Sequence, residues 1–352
     1  MKNILLPFIA LIFATQAHAV DLEKVEKELT GDGVVGWIHG AVVDRELWVF
    51  TYRTPGDFFD YVELALIPKT PEIAAQFKTL SRHDRVKIHG EIVENPSPQP
   101  HLFIDAVEVV EKYANPHSPP AYEYSASIPK DLLGLESARF LVHAVVAENH
   151  GLVVEYRDQV IPIGVRDASL VKGLSRNDVV ELRFKVRSMP SHPAHLALDE
   201  ENPNAVKSLQ SVLSLHGTPA DVTGALVLFP KSPEIRFDVF AVEDPTFPDV
   251  KRQFTLVNME DPDAFAKIRA KLKAAWDRRA TAFVNGRNKL VSTCVKVRAR
   301  GTFNEVSVNQ ANAQILLKSA DDVDVVDGGD SCGSRGAADA SATKYQMPGR
   351  FL

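Results

Sequence analysis

Residues 80–105 read LSRHDRVKIHGEIVENPSPQPHLFID, and residues 174–199 read LSRNDVVELRFKVRSMPSHPAHLALD. Ten of these twenty-six positions are identical without a gap: Leu80, Ser81, Arg82, Asp84, Val86, Pro96, Ser97, His101, Leu102 and Asp105. A match of that length at constant spacing marks an internal duplication. It extends upstream, where Ile38-His39-Gly40-Ala41-Val42 echoes Val142-His143-Ala144-Val145-Val146 and Tyr52-Arg53 echoes Tyr156-Arg157. The spacing is 94 residues within the block (174 − 80) and 104 upstream (142 − 38), so the first copy holds ten extra residues between the two parts.

Working outward from the block gives the order of elements. Gly36 to Arg53 alternates with period two around a turn at Asp44-Arg45-Glu46 and predicts two strands. Tyr61 to Ile67 is a third. Thr70 can cap a helix that starts at Pro71 and turns Ile73, Phe77 and Leu80 to one side. Val86, Ile88 and Ile92 then alternate with charged residues, Asn95 to Pro100 is a proline-bearing turn, and Leu102 to Val110 is a last strand. Asp84 and Asp178 each stand just before a strand, where a carboxylate can accept backbone hydrogen bonds in a turn.

Three strands, a helix and two strands are the plan of the five-stranded Greek-key barrel of the OB fold. The passage LSRHDRVKIHGEI resembles the helix-to-fourth-strand text of OB domains, with Val86-Lys87-Ile88-His89-Gly90 as the alternating run. The resemblance covers Val35 to Tyr113 and is to the oligonucleotide/oligosaccharide-binding superfamily. It implies a mainly β protein of three tandem OB-like barrels with short connecting helices. The expected divisions are 1–19, a signal peptide; 20–113, a helix and the first barrel; 114–137, a proline- and serine-rich linker; and 138–200, the second barrel. A connector helix through Val206, Leu209, Val212 and Leu213 fills 201–221, and a third barrel fills 222–318. In that third unit Phe237 to Val242 is strand-like. Asp261-Pro262 starts a helix with Phe265, Ile268, Leu272 and Trp276 on one face, and Asn285-Gly286 marks an added hairpin. Residues 319–352 form an acidic, then Gly/Ala/Ser-rich tail.

The N-terminus carries Lys2, an apolar run from Ile4 to Thr15 and the A-x-A site Ala17-His18-Ala19, the pattern of a cleaved export signal. The run is too short for a membrane anchor, so the expected location is periplasmic or secreted. An oxidising compartment allows a bond between the two cysteines, Cys294 and Cys332. Alternation from Val291 to Arg300 turns Val295, Val297 and Ala299 inward and Cys294, Lys296, Arg298 and Arg300 outward. A Cys294–Cys332 bond would draw the acidic tail over that basic strip.

No nucleophile elbow, P-loop, dinucleotide fingerprint or C-x-x-C is present, and the reading is not an enzyme, with no cofactor and no metal. An OB-fold nuclease using Arg298, Arg300 and Glu305 is a remote alternative. His192 and His195 lie in a proline-bearing turn, and a hydrogen-bonded turn histidine is the ordinary reading. Trp48, Phe50 and Tyr52 could form a stacking platform. The duplicate puts Leu152, Val154 and Tyr156 there and changes Thr51 to Glu155, which favours a core face over a stacking platform. The candidate ligand residues are Arg183, Lys185 and Arg187 in the second unit and Lys296, Arg298 and Arg300 in the third. Eleven Lys and Arg against the single acid Asp277 fall between Lys267 and Arg300, with Phe283 and Phe303 the stacking candidates nearby. A formal net charge of −6 runs against a protein that coats nucleic acid by charge alone. The leading reading is therefore an exported adaptor for a protein or envelope component. A binder of single-stranded nucleic acid is the alternative.

Overall fold

The computed structural model describes residues 22–42, 47–53, 61–93, 101–113, 128–146, 151–157, 159–189, 192–233, 235–277, 281–284, 289–305 and 312–327. The export signal, the proline-rich part of the linker, the hairpin tip at Asn285-Gly286 and Cys332 with the rest of the tail lie outside them.

The chain is mainly β and closes three five-strand circuits of one topology. In the first, α1 (Leu22–Thr30) precedes β1 (Val34–Val42), β2 (Leu47–Arg53) and β3 (Tyr61–Pro68), and α2 (Pro71–Phe77) leads to β4 (Arg85–Val93) and β5 (His101–Glu111). The order β1-β2-β3-β5-β4 closes by pairing β4 with β1, and β3 runs parallel to β5. Thr70 accepts from the Ile73 amide with Pro71 at the first turn, and Phe77 packs its ring 5.0 Å from Trp48. Trp48, Phe50 and Tyr52 are core, together with Val25 and Leu29 of α1.

The second circuit uses β6 (Ser137–Val146), β7 (Gly151–Tyr156), β8 (Gln159–Gly164), β9 (Val179–Met189) and β10 (His192–Leu198). A 3-10 turn at Ala168–Leu170 replaces α2. The pairing repeats: β8 is parallel to β10, and β9 returns to β6. The duplication is legible atom by atom. The Ile38 amide donates to the Asp84 carbonyl and the His83 amide to Ile38, while Val142, Asp178 and Asn177 repeat both bonds. His83 and Asn177 hold the same left-handed φ, 69° and 71°. Both first strands bulge at the same point, so the recurring His39 and His143 mark a conserved kink in the strand. Thr51 and Glu155, at matching positions in the two copies, are both buried although they alternate with the core residues.

The third circuit contains β12 (Pro219–Phe229), β13 (Val239–Glu243), β14 (Gln253–Val257), α4 (Pro262–Trp276), β15 (Thr281–Val284), β16 (Lys289–Asn304) and β17 (Gln314–Leu316). β14 runs parallel to β17, and β16 closes the circuit on β12. β15 forms the added hairpin with β16, Val284 opposite Lys289. Asp261 caps α4 by accepting from the Asp263 and Ala264 amides, and Ile268, Leu272 and Trp276 enter the core.

Two segments differ from expectation for one reason. The connector is not a helix over Val206–Leu213. β11 (Val206–Gln210) extends β9 where β10 leaves off, and only α3 (Val212–Leu215) is helical, capped by Ser211. The acidic run is likewise not a tail. Ser319 and Asp322 form a capping box, and β18 (Val323–Asp327) pairs with β16 beyond β17. In each barrel the fifth strand must follow the long fourth one. In the first it does so unbroken as β5; in the second and third it is split by residues 199–205 and 317–322. Open backbone groups along β9 and β16 recruit the second halves despite their polar sequence.

Candidate functional site

The basic residues picked out by sequence lie on β9 and β16, the fourth strands of barrels two and three. On β9, Arg183, Lys185 and Arg187 share a face, as alternation requires. Arg183 Nη2 lies 2.6 Å from Glu136, and Lys185 Nζ lies 2.7 Å from both Asp199 and Glu201. Those carboxylates raise the Lys185 pKa, while Lys185 holds Glu201 low. Arg187 is exposed and sits opposite His195 on β10.

On β16, Arg298 meets Asp221 of β12 in a two-pronged contact at 2.6 and 2.7 Å. The shared hydrogen bond lowers Asp221 and raises Arg298. Arg300 donates to Asp324 at 2.7 Å and to the Asp321 carbonyl at 3.2 Å. The acidic run therefore lies alongside the basic strand, joined to it by strand pairing and the Arg300–Asp324 ion pair. Lys296 is exposed, opposite Val326. The inserts that split the two fifth strands thus carry, or lead into, the acids that pair with Lys185 and Arg300, whereas Arg183 and Arg298 pair with Glu136 and Asp221.

Cys294 does not stand outside with Arg298. It is buried in the third core beside Leu290 and Val295. β12 advances from Ala225 to Val227 while β16 goes from Lys296 back to Val291, so residues 292–295 bulge and the inward set changes parity. The Ser292 hydroxyl accepts from the Val295 amide at 2.7 Å and stabilises the bulge. Its proposed partner Cys332 falls outside the described residues. The basic run is dispersed too. Lys289 is fully buried, Lys271 donates to the Ala320 carbonyl and Lys273 pairs with Asp277. Phe303 packs 4.9 Å from Phe254, and Glu305 donates its amide to His216.

Sequence reading missed the joints. The Asp84 carboxylate accepts from the Ser81 amide (2.8 Å), the Tyr113 amide (3.0 Å) and Lys112 Nζ (2.7 Å). Asp178 accepts from Ser175 and, where the chain leaves barrel two, from Val212, both at 2.8 Å. Each repeated aspartate thus grips its own turn and the chain where it leaves its barrel. Barrel three holds both neighbours. Its 230–238 loop accepts from Arg53 at the Pro233 carbonyl (2.7 Å) and from the Tyr113 hydroxyl at the Lys231 carbonyl (2.9 Å). Its 244–252 loop sets Val250 and Phe247 against Leu141, Val179 and Leu209 of barrel two. Beside them the buried Arg252 donates to Asp244 (Nε to Oδ2, 3.0 Å) and to Gln210, and lies 4.8 Å over the Phe254 ring. Burial lowers the Arg252 pKa against the opposing charge of Asp244. The repeated Asp84 and Asp178 were the one sequence signal for these joints; nothing in the text singles out Arg252 or Val250.

Phe237 was also missed. It lies before β13, not within it, and its ring meets Phe265 edge to face at 5.9 Å.

No family model matches the chain, and no curated protein matches it. Solved structures with a local likeness include an asparaginyl-tRNA synthetase from Pyrococcus horikoshii (18% identity, TM-score 0.21), covering 30% of this chain and 26% of that one. Another is a murine DNA binding protein bound with double-stranded DNA (13%, TM-score 0.18), covering 51% of this chain and 96% of the other. A third is a multidomain protein with nucleic acid binding domains from Streptococcus pneumoniae (12%, TM-score 0.15), covering 81% and 72%. This chain spans about a quarter of the synthetase's length. Scores this low carry no functional argument; the OB-like topology rests on the strand order.

Proposed function

We propose that the chain is a non-catalytic exported binding protein of the OB superfamily, which recognises a protein or envelope component through its barrel surfaces. The observation that supports it most is the state of the cations. Arg183, Lys185, Arg298 and Arg300 each hold a carboxylate of their own chain, so a polyanion would have to displace those acids before engaging them. The formal charge of −6 points the same way.

The test sets the full chain against a labelled single-stranded oligonucleotide at low salt. Weak binding with a shallow salt slope is expected. Tight binding with a steep slope, flattened by Arg298→Glu with Arg300→Glu, would replace this reading with the nucleic-acid one. Calcium-dependent DNA degradation by the same preparation would mark a nuclease instead. Export is checked by fractionating cells and weighing the mature chain, whose first residue is expected to be Val20.

A further inference from the structure

Among the described residues of the basic run, one guanidinium is spared the neutralisation seen at Arg298 and Arg300. Arg269, half-buried beside the core-facing stripe of α4, has its central carbon 4.5 Å above the Phe237 ring and 5.7 Å from the Phe265 ring. Its Nε is buried and lacks a hydrogen-bond partner, and no carboxylate pairs with the side chain among the described residues. The other described arginines with an orphaned Nε differ. Arg53 and Arg176 donate through a terminal nitrogen to backbone carbonyls, and Arg183 pairs with Glu136. Phe237 is 39% exposed, one of the few large apolar side chains left open on barrel three.

We propose that Arg269 and Phe237 form the anchor of a protein-binding surface that takes an acidic segment, with the Arg269 fork receiving a carboxylate and Phe237 an adjoining apolar side chain. This rests on the protein-binding reading above and names the partner's chemistry. A guanidinium offers five donors in a planar fork that matches a carboxylate through two parallel bonds. Stacking on two rings fixes the fork before the ligand arrives, so less freedom is lost on binding. Arginine and aromatic residues together are the composition of interface centres. A nucleic-acid strand needs a track of cations, and on β16 two of the three, Arg298 and Arg300, are already paired.

The experiment uses the full chain as bait on nuclease-treated envelope extract, with mass-spectrometric quantification. The baits are wild type, Arg269→Lys, Arg269→Gln, Phe237→Ala and, as a distant exposed cation, Lys172→Ala. Thermal unfolding of each bait verifies its fold. The proteins that wild type enriches should fall about tenfold with Arg269→Lys, which keeps the charge and loses the fork, and as far with Arg269→Gln and Phe237→Ala. Lys172→Ala should enrich them fully. A Glu-Leu repeat peptide in excess should compete, and its Gln-Leu counterpart should not. Equal enrichment by every bait, or equal competition by both peptides, overturns the anchor and leaves the protein-binding reading standing. If wild type enriches no protein, the reading itself fails and the anchor with it. Capture seen from a parallel untreated extract and absent from the nuclease-treated one excludes a protein ligand.

Discussion

Gly36 and Phe140 occupy the same place in two copies of one barrel, and their neighbours compensate for the difference in volume. A Cβ on Gly36 would stand 2.4 Å from both the Phe50 ring and the Thr51 carbonyl. In the second copy Val154 replaces Phe50, and Phe140 fills the space, 5.8 Å from Phe184. Gly36→Ala should therefore destabilise barrel one by about 1–3 kcal/mol through overpacking. Phe140→Ala should destabilise barrel two by about 3–5 kcal/mol through a cavity. Urea unfolding reads both, and a neutral Gly36→Ala would mean that the strand can shift to admit a methyl group. Asp178 adds a pH term. Burial is the largest influence on it and raises its pKa above 3.8, against the Ser175 and Val212 amides, Ser211 and Arg252. A raised folded pKa means that the folded state binds more protons than the unfolded chain from 3.8 up to the new value. This residue's contribution to stability thus declines as pH climbs through that window and is level above it. Asp178→Asn should remove that slope, measured as the difference in unfolding free energy from wild type across a pH series. Asp178→Ala should lose about 2–4 kcal/mol at neutral pH by orphaning two amides.

The fifth strand shows where an element can escape a sequence reading. A chain ending at Leu317 keeps β17 and loses β18, so it strips the outer edge of β16 and removes the Asp324 partner of Arg300. Barrel three should then unfold at lower urea by Trp276 fluorescence, whereas a chain ending at Asp327 should match wild type. Equal midpoints for the two would show that β18 adds nothing to the barrel. The strand order, the caps Thr70 and Asp261 and the apolar face of α4 were all readable, since each rests on local spacing. The second halves of the split strands were not. Val206–Gln210 and Val323–Asp327 follow polar inserts, and what makes them strands is the open edge of β9 or β16, far away in sequence. The side of Cys294 was lost because alternation predicts a face only while pairing stays in register, and the bulge at 292–295 breaks it. The candidate cations were found, but their carboxylate partners were not, because Arg298 and Asp221 meet across 77 residues. Phe237 gave no signal, since a loop aromatic becomes part of a surface only when a helix comes to lie beside it.

At the scale of the molecule, barrel three is the hub. Two of its successive loops hold the other barrels, residues 230–238 by backbone carbonyls to barrel one and residues 244–252 by apolar packing to barrel two. The two joints differ in kind. The first consists of hydrogen bonds from Arg53 and Tyr113, each worth about 0.5–1.5 kcal/mol net. The second buries Val250 with Leu141 and Val179, and Arg252 of the same loop donates across the joint to Gln210. Barrels two and three should therefore unfold together, while barrel one can separate first. Val250→Asp places a carboxylate in that apolar cluster and should uncouple the second joint, at a penalty of several kcal/mol if the contact stays closed. The expected result is a larger radius of gyration by small-angle scattering and a split of one calorimetric transition into two. Arg53→Ala should leave that transition whole. A Val250→Asp chain that keeps the wild-type radius and a single transition would show that the barrels are held by something other than this cluster. The Asp178 grip on Val212 would be the next contact to cut.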